Sequence, residues 1–191
     1  MEGWRREMYS DATGLPWVMP SPNMPTLDTA IVYPGTVLFE GVMLSEGRGT
    51  TRPFELTGAP WIDADRFAAA MNELELPGVY FRPAVFQPTF QKHAQQTCGG
   101  CQIHVMHRDE FRPVLTGVAL IDMFRRFDSG RFAWRPPPYE YEHHKAPIDI
   151  LAGSDVLRRQ IETETPLRAI AASWRADEDD FARVRRPYLL Y

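Results

Sequence analysis

Three features of the sequence predict an α+β fold, a small mixed sheet with flanking helices. Short alternating segments and segments of helical period are interleaved without a regular βαβ repeat. Prolines and glycines, 17 and 13 of 191 residues, fall in clusters that cut the chain into short elements. The longest helical segment has a single apolar face, set by Leu115, Val118, Ile121 and Phe124, as a helix packed on one side requires.

The elements follow in order. Trp4, Met8 and Tyr9 are spaced like the last turns of a helix that begins upstream. Residues 1–14 are therefore expected to be the tail of a missing N-terminal domain, and residues 15–191 a domain of their own. Leu15 to Pro25 holds four prolines in eleven residues, which excludes regular helix and central strand. Its Leu, Trp, Val and Met side chains predict an ordered, partly buried arm rather than a solvated linker. Thr26 is placed to cap a short helix, with Asp28 in its first turn, and Pro34 to open a second. After the polar, Gly-rich stretch Ser45 to Arg52, Phe54–Thr57 alternates like a strand. Ala64–Leu74 is an amphipathic helix with Phe67, Ala70, Met71 and Leu74 on one face. Pro77-Gly78 ends it. Val79–Phe90 is a strand whose Pro83 and Pro88 mark an edge or a bulge. Gln102–Met106 is another strand and Val114–Phe127 a helix. Trp134–Glu142 is a Pro- and Tyr-rich loop, followed by helices near Ser154–Glu164, Pro166–Trp174 and Glu178–Arg185.

Composition excludes some functions. The net charge of −4 provides no basic face for nucleic acid and no polybasic segment for a membrane surface. No apolar run approaches the roughly 20 residues of a spanning helix. The start, Met1-Glu2-Gly3-Trp4-Arg5-Arg6, lacks the apolar core of an export signal, which fits either a cytoplasmic protein or a piece of a longer one.

The segment Glu40 to Thr51 carries the densest chemistry. Gly47 and Gly49 flank Arg48, so the backbone can take positive φ and approach a ligand closely. Arg48 offers a planar fork to a carboxylate or a sugar hydroxyl. Thr50 and Thr51 add hydroxyls. Glu40 follows the apolar run Val37-Leu38-Phe39, and partial burial suits a carboxyl to general-acid use. The competing reading is structural: Arg48 pairs with Glu46 or Glu40 to fix a tight loop. Cys98-Gly-Gly-Cys101 with His104 spells Cys-x2-Cys-x2-His, but a structural zinc needs four ligands and no second Cys pair exists. A disulfide, two buried thiols, or cysteines packed apart remain open. No metal and no cofactor are expected. On the strand beginning at Gln102, alternation places Gln102 and His104 on one face and Ile103 and Val105 on the other. His104 can line a cleft or be a hydrogen-bonded structural residue. Trp17, Tyr33, Trp61 and Tyr80 lie near the Pro/Gly-rich segments, where aromatic faces suit sugar rings or ordinary packing.

Several stretches together resemble the NamZ (YbbC-like) family of exo-β-N-acetylmuramidases. They are Leu15-Pro-Trp-Val-Met-Pro-Ser-Pro-Asn-Met-Pro25, Thr29-Ala30, Tyr33-Pro34-Gly35, Glu40-Gly41 and Ser45-Glu-Gly-Arg-Gly-Thr50 with Pro53-Phe54-Glu55. Gly58-Ala59-Pro60, Cys98-Gly99-Gly100 with Gln102-Ile103-His104, and the terminal Tyr188-Leu-Leu-Tyr191 extend the likeness along the chain. The resemblance implies the C-terminal domain of a two-domain glycosidase whose cleft lies between this half and a Rossmann-like N-terminal half. It implies a peptidoglycan-derived sugar as ligand and release of terminal N-acetylmuramic acid, with the N-terminal half supplied upstream or separately. Under it, Glu40 and Glu46 are the catalytic candidates. Arg48 becomes a partner for the lactyl carboxylate, and Gly47, Gly49, Thr50, Asn23, Tyr33 and His104 are substrate-binding candidates. It points to the cell envelope, periplasm or exterior. A non-catalytic carbohydrate-binding module that kept only the cleft wall is the alternative.

Overall fold

Thr26 ends the Pro-rich arm and caps α1 (Leu27–Thr36), its hydroxyl accepting the Thr29 amide at 3.2 Å as the capping pattern predicts. Pro34 lies inside the last turn of α1 rather than opening a second helix, and the chain tightens into a 3-10 segment, Val37–Gly41. The computed structural model describes residues 2–190. Its further elements are β1 (Leu56–Ala59), α2 (Ala64–Asn72), β2 (Val79–Phe86), β3 (Cys98–Val105), α3 (Pro113–Phe127), α4 (Pro147–Leu151), α5 (Val156–Glu162), α6 (Leu167–Ser173) and α7 (Arg175–Arg185).

The sheet has the order β1-β3-β2 and is antiparallel throughout, so the predicted α+β class holds. β3 is central, pairing Gly99 with Ala59 on one side and Phe86 with Cys98 on the other. β2 is an edge strand, which accommodates Pro83. The core joins the sheet to α2 and α3: Phe67 stacks on Phe124 at 4.0 Å between ring centroids, and Phe39, Phe54 and Phe81 are fully enclosed. α1 crosses α3 at Gly35 and Gly117, where a Cβ on either would overlap the backbone of the opposite helix.

Several expectations need correction. Trp4 to Tyr9 forms turns, followed by a 3-10 segment at Ser10–Thr13, and no α-helix. The arm is less buried than its composition suggests: Trp17 is half-buried, but Leu15, Val18 and Met19 are exposed. The first strand starts at Leu56, because Phe54 takes a left-handed backbone with φ 64°. β2 ends at Phe86, ahead of a loop with left-handed Gln91, His93 and Gln95. β3 begins at Cys98, so the Cys-Gly-Gly-Cys motif is strand. An odd separation puts Cys98 and Cys101 on opposite faces, both are free, and burial pushes their thiols up to about 11 and about 12. The short helix α4 had no sequence signal beyond Pro147 at its first turn.

Candidate active-site wall

The Glu40–Thr51 segment is pinned before it does any chemistry. Ser45 exchanges two backbone hydrogen bonds with Gly58 of β1, and the Phe54 amide donates to the Glu46 carbonyl at 2.6 Å. Gly47 and Gly49 have the predicted positive φ, 74° and 82°. The close approach they permit is to the chain itself. A Cβ on Gly49 would sit 2.7 Å from the Phe90 nitrogen, and one on Gly47 2.8 Å from the Leu56 oxygen. The Thr50 hydroxyl donates to the Gly47 carbonyl at 2.6 Å, so it too serves the turn.

On this frame the charges converge. Arg48 bridges both carboxylates, Nη2 to Glu40 Oε1 at 2.6 Å and Nε to Glu46 Oε1 at 3.2 Å. Its guanidinium lies 4.8 Å from the Phe54 ring centroid, and the Tyr33 ring meets Phe54 edge-on, also at 4.8 Å. The structural pairing foreseen for Arg48 is therefore realised twice over. Three partners without a sequence signal complete the network. Lys92 pairs with Glu46 at 2.6 Å and donates to the carbonyls of Phe39 at 2.7 Å and Val42 at 3.1 Å. Burial pushes its ammonium below the ordinary lysine value, opposed chiefly by the Glu46 carboxylate. Tyr139 donates to Glu40 Oε2 at 2.7 Å, and burial together with that carboxylate pushes its phenol up. Arg135 reaches the Glu40 carbonyl at 3.5 Å and lies 5.6 Å from the Tyr139 ring centroid.

Two carboxylates thus face three cations. Glu46 is 3% exposed and Glu40 15%, so only Glu40 offers an oxygen near the surface. Arg48 is committed to both carboxylates. Arg135 has no carboxylate partner among the described residues and is the cation left for an incoming anion. The segment that carries it was recognisable only as a Pro/Tyr loop. It runs antiparallel to residues 41–43 through Met43 N to Ala133 O and Arg135 N to Gly41 O, each 2.9 Å.

The remaining candidates stand apart. No hydrogen bond, ion pair or ring contact joins Asn23 or His104 to this network; Asn23 donates its amide to Ser21, and His104 pairs across the sheet with Tyr80. His104 Nε2 is buried without a partner. A cleft of about 950 Å³ between α1, α3 and the C-terminal helices is lined by none of the candidate residues. No grouping of His, Cys, Asp and Glu among the described residues suits a metal ion, and none of the described helices is long and apolar enough to cross a membrane.

Paired carboxylates bridged by arginine and flanked by tyrosine and a further arginine form a polar wall beside the small antiparallel sheet, with a cation available to an anionic group. The family is settled by comparison. The profile described as "Exo-beta-N-acetylmuramidase NamZ, C-terminal" matches residues 31–191, and the chain belongs to this family. It is 42% identical over 191 residues to the peptidoglycan β-N-acetylmuramidase NamZ of Bacillus subtilis (strain 168), spanning all of this chain but 44% of that protein. A DUF1343 family protein from Bacteroides fragilis NCTC 9343 superposes with a TM-score of 0.86 at 27% identity, over 99% of this chain and 49% of that one. A second from the same organism shares the fold at a TM-score of 0.60 and 24% identity, over 91% of this chain and 43% of that one. The chain thus spans about half the length of these relatives.

Proposed function

We propose that this chain is the C-terminal half of an exo-acting glycoside hydrolase that releases terminal N-acetylmuramic acid from peptidoglycan fragments. Residues 15–191 supply one wall of the cleft, and a Rossmann-like half, upstream or separate, supplies the other. The observation that carries this reading is Arg135: a guanidinium without a carboxylate partner, beside a tyrosine-held glutamate, in a chain 42% identical to a muramidase.

Arg135, rather than the doubly paired Arg48, receives the lactyl carboxylate. Arg48 keeps Glu40 and Glu46 at fixed spacing, and Gly47, Gly49 and Thr50 shape the turn that aims it. Tyr33 supports it through Phe54. Glu40, the more accessible carboxylate, faces the scissile bond; Glu46 holds Arg48 and Lys92 in place. A glycosidase needs two carboxyl groups, roughly 5 Å apart for retention or roughly 6.5–9.5 Å for inversion. Glu40 supplies one and the N-terminal half the other. Location with the cell envelope follows from the substrate, and fractionation of the producing cells tests it.

Titration with N-acetylmuramic acid and N-acetylglucosamine tests the site. The muramic sugar should bind more tightly, and Arg135→Ala should abolish the difference. Equal binding of both sugars to the unmodified chain refutes the assignment. A chromogenic muramic acid glycoside separates catalysis from binding alone: turnover by this chain comparable to an intact family member refutes the claim that a second half is required.

A further inference from the structure

A second cleft, about 430 Å³, opens beside the first turn of α2 and the end of α3, lined by Trp61, Asp63, Arg66, Arg126, Asp128 and Arg131 among others. Its volume lies within the roughly 300–1,000 Å³ of small-molecule sites. The charges are not balanced within it. Arg126 pairs with Asp122 at 2.8 Å and Arg131 with Asp128 at 2.6 Å. Asp63 is occupied in capping α2, accepting the Arg66 amide at 2.9 Å. The Arg66 guanidinium makes no ion pair or hydrogen bond among the described residues. Trp61 supplies a half-buried aromatic wall, with the Arg131 guanidinium 5.9 Å from its ring centroid.

The cleft is tied to the Glu40 wall by two routes. Trp61 meets the His93 ring edge-on at 5.4 Å, and His93 is the neighbour of Lys92 and hydrogen-bonds the Met43 carbonyl at 2.9 Å. Arg131 begins the same segment that pairs with residues 41–43 and ends at Arg135 and Tyr139. Arg131 and Arg135 are four residue steps apart, at most about 13 Å of chain at ~3.3 Å per residue. That places the two walls within reach of neighbouring rings of one glycan.

We infer that the Trp61 cleft is a second subsite, which takes a carboxylate-bearing sugar of the same glycan, its ring against Trp61 and its carboxylate on Arg66. This rests on the proposed muramic acid specificity: peptidoglycan carries a muramic acid at every second sugar, so the anionic group recurs along the strand. The chain offers two such receptors, Arg135 and Arg66.

The probe is a peptide-free peptidoglycan tetrasaccharide ending in N-acetylmuramic acid, compared with N-acetylmuramic acid alone. Binding is followed at the Trp61 indole N–H by two-dimensional NMR, with Trp61→Phe identifying the signal. The tetrasaccharide should shift this signal, and Arg66→Ala should weaken its binding roughly tenfold, the loss of one charge-assisted hydrogen bond. Binding of the single sugar should be unchanged in Arg66→Ala. An unmoved indole, or a tetrasaccharide affinity that Arg66→Ala leaves intact, overturns the subsite. The outcomes are separable from those of the first reading. Arg135→Ala without effect on the single sugar sinks the Glu40 wall and leaves the Arg66 result to be judged on its own.

Discussion

Replacing Lys92 with methionine tests the electrostatic account of the site most directly. Methionine keeps much of the side-chain length and removes the ammonium. Glu46, 3% exposed, then loses its 2.6 Å partner and keeps Arg48 at 3.2 Å. The Phe39 and Val42 carbonyls lose their shared donor. Breaking a buried pair costs about 3–5 kcal/mol. Arg48 remains on Glu46, which puts the expectation at the lower end, about 3 kcal/mol. For a domain of this size that is a fall in melting temperature of about 6–12 °C. Glu46→Gln in the Lys92→Met background should recover part of the loss, a coupling of about 1–2 kcal/mol in a double-mutant cycle read by thermal and urea unfolding. A single-mutant loss below about 1 kcal/mol, the size of an exposed pair, refutes the reasoning, as does strict additivity.

Four further outcomes are expected. Phe54→Ala should destabilise by about 3–5 kcal/mol, because a fully enclosed ring is lost while the alanine Cβ keeps the cost of the left-handed backbone, and urea unfolding reads the difference. Gly49→Ala should cost more than about 1 kcal/mol at φ 82° with the Phe90 backbone 2.7 Å away, whereas Gly153→Ala, also at positive φ but in open space, should cost less; paired thermal melts compare them. Asp122 is raised above its ordinary 3.8 by burial, with one oxygen lacking a partner. The folded state therefore holds its proton more tightly than the unfolded chain, and stability falls as pH rises from near 3.8 through the raised value. Asp122→Asn should remove that part of the pH dependence in melts across the acid range. Both thiols should resist an aromatic disulfide reagent at neutral pH and react fully in denaturant; fast native labelling would contradict their burial on opposite faces of β3.

The sequence carried the fold where a local signal was strong. Thr26 and the apolar faces of α2 and α3 announced their helices, and Pro83 announced an edge. It failed where long-range contacts decide. Pro34 sits in the last turn of α1 against its usual preference for the first turn, and the chain leaves the helix within three residues. Phe54 is forced left-handed by the turn that lays its ring under Arg48. In the site, Glu40, Glu46 and Arg48 were legible because eight residues of glycine-rich chain bring them together. Arg135 and Tyr139 lie more than ninety residues away, and Lys92 more than forty, so no spacing could have named them. Asn23 entered through resemblance alone and His104 through strand alternation as well, and no contact draws either to the others.

The exposed side of β2 has one more consequence. Phe81 turns its backbone outward, and Asn72 takes both groups, donating to the carbonyl at 2.8 Å and accepting the amide at 2.9 Å. Two residues on, at the next outward position, Pro83 has no amide to offer. Val79 and Val85, at either end of the strand, keep outward N–H groups on this side of the ladder. A neighbouring chain seeking to add a strand there would meet, between these two donors, a side-chain amide and then a ring. The border of this small sheet is closed to self-templated growth by α2 and one imino acid, which leaves the molecule free to concentrate without fibre formation along that border.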